Sequence, residues 1–211
     1  MRRVRGQAYA LEGIVVSLLL VGSLVFALQV TAVTPLSAST SSQHIENQQR
    51  AVAEGVLATA VEQDALRIAV LNWNHDPASD PPRFYGIGAS AERSFYVDGP
   101  PENEFGTLLE RAFSSRGIVF NVLVRPSVDI DDDGTDDGFA TEAQRMVYRG
   151  EPSDNAVTAT RLVTLYDDDV LYDDDEHPTS TRIDGDSFYA EDVSDDVLYN
   201  VVRVEVVVWR Q

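Results

Sequence analysis

Hydrophobic positions follow three different rhythms along this chain of 211 residues. From Gly13 to Thr34 they form one unbroken apolar run of 22 residues with no charge. At about 1.5 Å per residue such a run makes a helix roughly 33 Å long, enough to cross a bilayer core of about 30 Å. A single segment can satisfy its backbone in lipid only as an α-helix. From Gln43 to Leu71 the rhythm becomes helical and amphipathic. Ile45, Val52, Val56, Ala60 and Leu66 share one face, while Glu46, Arg50, Glu54 and Gln63 lie elsewhere. Between the two, Pro35 and the hydroxyl-rich run over 37–42 predict a kink or a short exit linker.

Beyond residue 71 the pattern is shorter in wavelength. Asp76-Pro77, Asp80-Pro81-Pro82, Gly86, Gly88 and Gly99-Pro100-Pro101 predict a long irregular tract with short strands, punctuated by Trp73, Phe84, Tyr85, Phe95 and Tyr96. Phe105 to Arg116 reads as a helix with Phe105, Leu108, Leu109, Ala112 and Phe113 on its stripe, stopped by Gly117. Strands are expected at Ile118–Val124, ended by Pro126, at Val157–Tyr166 and at Tyr199–Trp209, with a short one near Met146–Tyr148. The last is the strongest, because Val202, Val204, Val206 and Val208 alternate with Arg203, Glu205 and Val207. The expected fold class is α+β: a transmembrane helix continuing into an amphipathic helix, then an antiparallel β-sheet domain with one further helix. The expected divisions are a basic leader (1–6), the transmembrane helix (7–34), the linker (35–42), the amphipathic helix (43–71) and an extracellular α+β domain (72–211).

Charge narrows the functional classes. The chain carries 16 basic and 35 acidic residues, a net charge of −19. Every basic residue is arginine; there is no lysine. Carboxylate excess keeps a protein solvated and mutually repulsive where concentrated salt shortens the Debye length to about 3 Å. This is the composition of an extreme halophile. An acidic disordered chain is excluded by a hydrophobic content of 44%. A nucleic-acid partner is excluded because this surface repels phosphates. The absence of cysteine removes disulfides, thiolate chemistry and cysteine-ligated metals.

Arg2, Arg3 and Arg5 precede the apolar run. The positive-inside tendency places the N-terminus in the cytoplasm and the chain from about residue 36 outside a single-pass membrane anchor. A secretory signal peptide is the competing reading, but its apolar core is normally shorter, about 7–15 residues. The order Arg5-Gly6-Gln7, Glu12 and an apolar helix resembles the N-terminus of archaeal type IV prepilins. In that family a prepilin peptidase cuts after the glycine, and the apolar helix becomes the packing core of a filament. The resemblance implies Gly6, Gln7 and Glu12 as processing residues, with a prepilin peptidase and other pilin-like subunits as partners beside the lipid bilayer. Glu12 departs from the pattern, being sixth rather than fifth after the cut. One residue turns a helical side chain by about 100°, so an interfacial carboxylate beside a helix N-terminus is an equal reading.

A broader likeness covers more of the chain. Gln7 to Gly13, Leu28 to Leu36, Glu46 to Gln49, Tyr148 to Asp154 and Val201 to Trp209 resemble segments of haloarchaeal membrane-anchored proteins of unknown function. That likeness implies a haloarchaeal source and no activity.

One stretch has metal-like spacing. Asp129, Asp131 and Asp133 fall at positions 1, 3 and 5 of a calcium loop, Gly134 at the turn position 6 and Asp137 at position 9. Position 12 holds Ala140 instead of glutamate, and a solvated acidic loop is the competing reading. Calcium is therefore a candidate ligand, with Asp129, Asp131, Asp133 and Asp137 as its residues. Asp167–Asp169 and Asp173–Glu176 lack that spacing. His44, His75 and His177 form no zinc pattern, and no nucleophile elbow, phosphate loop or dinucleotide fingerprint occurs. The expected function is a pilin-like, surface-exposed structural protein without catalysis. The alternative is a monomeric signal-anchored domain that binds an ion or a partner.

Overall fold

The computed structural model describes residues 3–76, 82–87, 93–129 and 138–210. The chain divides into two compact units, Met1–Ile45 and Glu46–Gln211. Helix α1 spans Arg3–Glu62, so its backbone is helical through residues 35–42, where the sequence predicts a kink or linker. Proline's fixed φ of about −65° is itself a helical value, so the backbone stays helical there at the cost of one i→i−4 hydrogen bond.

The helix expected over 43–71 is divided in two. α1 stops at Glu62, Asp64 takes a left-handed backbone (φ 59°), and α2 resumes over Ala65–Leu71. Aspartate is among the few non-glycine residues that reach this conformation cheaply. The break re-aims the chain and lets both pieces bury apolar residues. Ala53, Val56, Leu57 and Ala60 of α1, and Leu66, Ala69, Val70 and Leu71 of α2, all enter one core. The expected face is the one that packs inward at Val52, Val56, Ala60 and Leu66; Ala53 and Leu57, fully buried, widen it, and Ile45 is exposed.

Helix α3 covers Glu104–Ala112, followed by a 3₁₀ turn at Ser114–Arg116 and left-handed Gly117 (φ 67°). This is the helix-and-stop that Phe105–Gly117 predicts. Asn103 caps it by accepting from the Gly106 N–H at 2.8 Å. Gly106 has to be glycine, because a Cβ there would lie 1.8 Å from the Pro101 carbonyl oxygen.

The strands of the main sheet all pair antiparallel, and Tyr96 adds a single parallel bridge to Val147. Its strands are β3 (Val119–Val128), β4 (Gly138–Phe139), β5 (Gln144–Val147), β6 (Val157–Tyr166) and β9 (Leu198–Trp209). The order is β4-β3-β9-β6, with β5 also on the outer side of β3. Two small ribbons flank it: β1 (Trp73–Asn74) with β2 (Arg83–Phe84), and β7 (Val170–Tyr172) with β8 (Pro178–Arg182). The alternation read in β6 and β9 holds. Val202, Val204, Val206 and Val208 face the core with Phe120, Val122 and Val124 of β3 and Val157, Ala159, Val163 and Leu165 of β6.

Pro126 does not end β3, which runs on to Val128 with Pro126 opposite Val202. The Pro126 carbonyl accepts from the Ala140 N–H at 2.9 Å. In a strand a residue's N–H and C=O point to the same side, so the donor that proline lacks faces away from β9. The β3–β9 ladder therefore loses nothing. Beside it, fully buried Asn200 extends the ladder with a side chain. Its Oδ1 accepts from the Ser127 N–H at 3.0 Å, and its Nδ2 donates to the Ser127 carbonyl at 3.1 Å and the Glu191 carbonyl at 2.8 Å.

Candidate functional sites

The N-terminal segment is the clearest functional feature. Tyr9–Gln29, 21 residues of mean hydropathy 2.4, is long and apolar enough to cross a membrane, and none of it is buried within the protein. Leu11, Ile14, Leu18, Leu24 and Phe26 are all exposed. Apolar exposure on this scale needs a covering medium. Glu12 lies inside this segment and is exposed. Gly6 and Gln7 belong to the helical backbone of α1, N-terminal to the span.

The acidic run joins β3 to β4. Val128 pairs with Gly138, so the strands flanking residues 129–137 meet at their ends. Asp129 lies at the end of β3; Asp131, Asp133 and Asp137 lie outside the described residues. Position 12 of the calcium pattern, Ala140, donates its N–H to Pro126 rather than beginning an exit helix. The flanks are thus two paired strands, not the helices of an EF-hand. Among the described residues no group of three or more His, Asp or Glu side chains is arranged to hold a metal ion.

The second acidic region has a structural use that its sequence hides. Asp169 accepts from the Tyr166 N–H at 2.9 Å and pairs with Arg67 of α2. Asp173 accepts from the N–H groups of Asp175 (3.1 Å) and His177 (2.8 Å). Glu176 is left-handed (φ 59°), and its Oε1 accepts from the Glu104 N–H at 3.0 Å, at the electropositive start of α3. Asn72 donates to the carbonyls of Tyr172 and Asp173. These carboxylates shape the β7–β8 ribbon and hold it against α2 and α3. That use leaves them mainly hydrogen-bond acceptors for backbone donors.

A cleft of about 770 Å³ opens beside Gly86, with Arg93, Phe95, Tyr96, Asp98 and Glu102 on its walls. Tyr96 anchors it by donating its hydroxyl to the Tyr85 carbonyl. Burial, with Glu102 nearby, pushes the Tyr96 phenol well above its ordinary value, so it is a neutral donor here. Nearby, the Arg145 guanidinium stacks 4.2 Å from the Tyr148 ring centre and 5.6 Å from that of Phe95. Opposite charges share this cleft, and among the described residues that line it there is no nucleophile–base pair. Neither the Arg145 stack nor the Asn200 clamp has a signal in one sequence, since each depends on residues brought together across the sheet.

No curated protein and no solved structure matches the chain. One family spans it almost end to end, from residue 5 to residue 208, taking in the span Tyr9–Gln29 and all of the main sheet but Trp209. The chain belongs to this family, a family of unknown function designated DUF7288.

Proposed function

We propose that this protein is a membrane-tethered structural subunit of a halophilic archaeal surface, built on type IV pilin lines and without catalytic activity. One observation carries the reading. A single helix, α1, contains both the exposed apolar span Tyr9–Gln29 and, in its last turns, core residues Ala53, Val56, Leu57 and Ala60 of the sheet-bearing unit. A helix that is lipid-compatible at one end and part of a domain core at the other suits a subunit that assembles through its span. Arg2, Arg3 and Arg5 set the N-terminus inside and the sheet-bearing unit outside. Cleavage after Gly6 would leave Gln7 as the first residue and Glu12 near the new amine.

Mass spectrometry of the protein purified from its native host tests this. A mature chain beginning at Gln7, with Gly6→Val blocking that processing, is the expected outcome. An intact N-terminus, or unimpaired processing of Gly6→Val, overturns the pilin route and favours the signal-anchored alternative.

A further inference from the structure

We propose that the free edge of β6 is a self-association surface, where two copies of this chain pair antiparallel and join their sheets into one. Three independent observations meet on this strand. Among the described residues β6 pairs only with β9, so a ten-residue strand presents its other edge unpaired. Such an edge is a ready template for another strand, and proteins normally protect it with charge, proline or a covering loop. Asn155 to Tyr166 contains no carboxylate, although residues 44–211 carry 34. Finally, two of the exposed large apolar residues among the described part of Glu46–Gln211 lie on this strand, Leu162 (56% exposed) and Tyr166 (44%).

A second copy is the occupant that this strand fits. Two such surfaces repel each other wherever carboxylates dominate, and this edge is where they are missing. The strand is also self-complementary. With a two-fold axis at Leu162, Leu162 meets its own copy and Thr160 meets Thr164. The lone charge, Arg161, meets Val163, so no like charges are opposed. Thr158, Thr160, Leu162 and Thr164 are all exposed, so no residue has to leave the core for this pairing. The two-fold closes both open edges at once, as an isologous contact should. At the far end Asp169 already occupies the Tyr166 N–H, which limits the paired stretch about Leu162 to Ala159–Leu165. The inference does not depend on the pilin reading, since a signal-anchored protein could pair in the same way.

Because the chain has no cysteine, single-cysteine cross-linking reads the register directly. Opposed residues in an antiparallel pair have Cα atoms about 4.5–5.5 Å apart, within disulfide reach. Leu162→Cys in the full-length protein, in detergent at high salt under mild oxidation, is expected to give covalent dimer. The two copies of Thr158→Cys would lie roughly 27 Å apart and are expected to give at least about tenfold less. Leu162→Lys, which sets two charges against each other at the axis, should convert the uncross-linked dimer to monomer by light scattering. Circular dichroism checks that each variant stays folded. Equal cross-linking at both positions, none at Leu162→Cys, or a wild-type protein that remains monomeric would overturn the proposal.

Discussion

Tyr189 shows how much one buried phenol constrains this protein. Its hydroxyl donates to the Val70 carbonyl at 3.2 Å, and its ring lies 4.9 Å from Trp73 and 4.1 Å from Phe188. Burial raises its pKa well above the ordinary value, as it does for Tyr96 and Tyr199. Tyr199 donates to the Ala190 carbonyl at 2.6 Å, and Asp192 and Asp184 oppose its ionisation further. In each case the folded chain holds the proton more tightly than the unfolded chain, where the pKa is about 10. Their contribution to stability is therefore complete below about pH 10 and is lost as pH rises above it. The urea midpoint is expected to fall steeply between pH 10 and 11.5. Tyr189→Phe should lower the unfolding free energy at pH 8 through the lost hydrogen bond, by about 1 kcal/mol, yet make the alkaline fall shallower. An unchanged alkaline slope in that variant would contradict the assignment.

At the scale of elements, legibility followed whether an element's signal is local. β6 and β9 could be read from alternation alone because one face of each is core and the other is not. The α3 helix could be read because its stripe and Gly117 lie within thirteen residues. The extent of β3 could not, since Pro126 argues for a stop unless one knows which side its missing donor faces. Nor could the β7–β8 ribbon, whose Asp-rich turns look like solvated charge until Glu176 is seen capping α3 and Asp169 meeting Arg67. The Asn200 clamp is the sharpest case. Asn200→Leu keeps the volume but leaves the Ser127 N–H and C=O buried without their partners. Each such orphan costs about 1–3 kcal/mol, so denaturant unfolding should show a loss of roughly 2–4 kcal/mol. A loss below about 1 kcal/mol would mean that the backbone re-pairs without the side chain.

For the molecule as a whole, the apolar span was the most legible part, because the 22-residue uncharged run from Gly13 to Thr34 has few alternative uses in a helix. The candidate calcium residues were legible only as spacing. Two paired strands rather than helices frame them, and Asp129 alone falls within the described residues. The pilin-like reading draws on the order of residues near Gly6 and on the composition of α1. Membership of a family matched over residues 5–208 ties span and sheet into one inherited unit.

The break at Asp64 also decides where this chain can be cut. The final three turns or so of α1 supply Ala53, Val56, Leu57 and Ala60 to a core completed by α2, α3 and the sheet. A protease or a designer who separates the lipid-soluble part at the visible corner, Gln63–Asp64, removes a wall of the domain along with its tether. A fragment beginning at Glu46, the start of the second compact unit, should be water-soluble with a sharp thermal transition. One beginning at Asp64 should bind a hydrophobic dye and melt without cooperativity. If the shorter fragment melts as sharply as the longer, the end of α1 is an ornament to the domain instead of part of it.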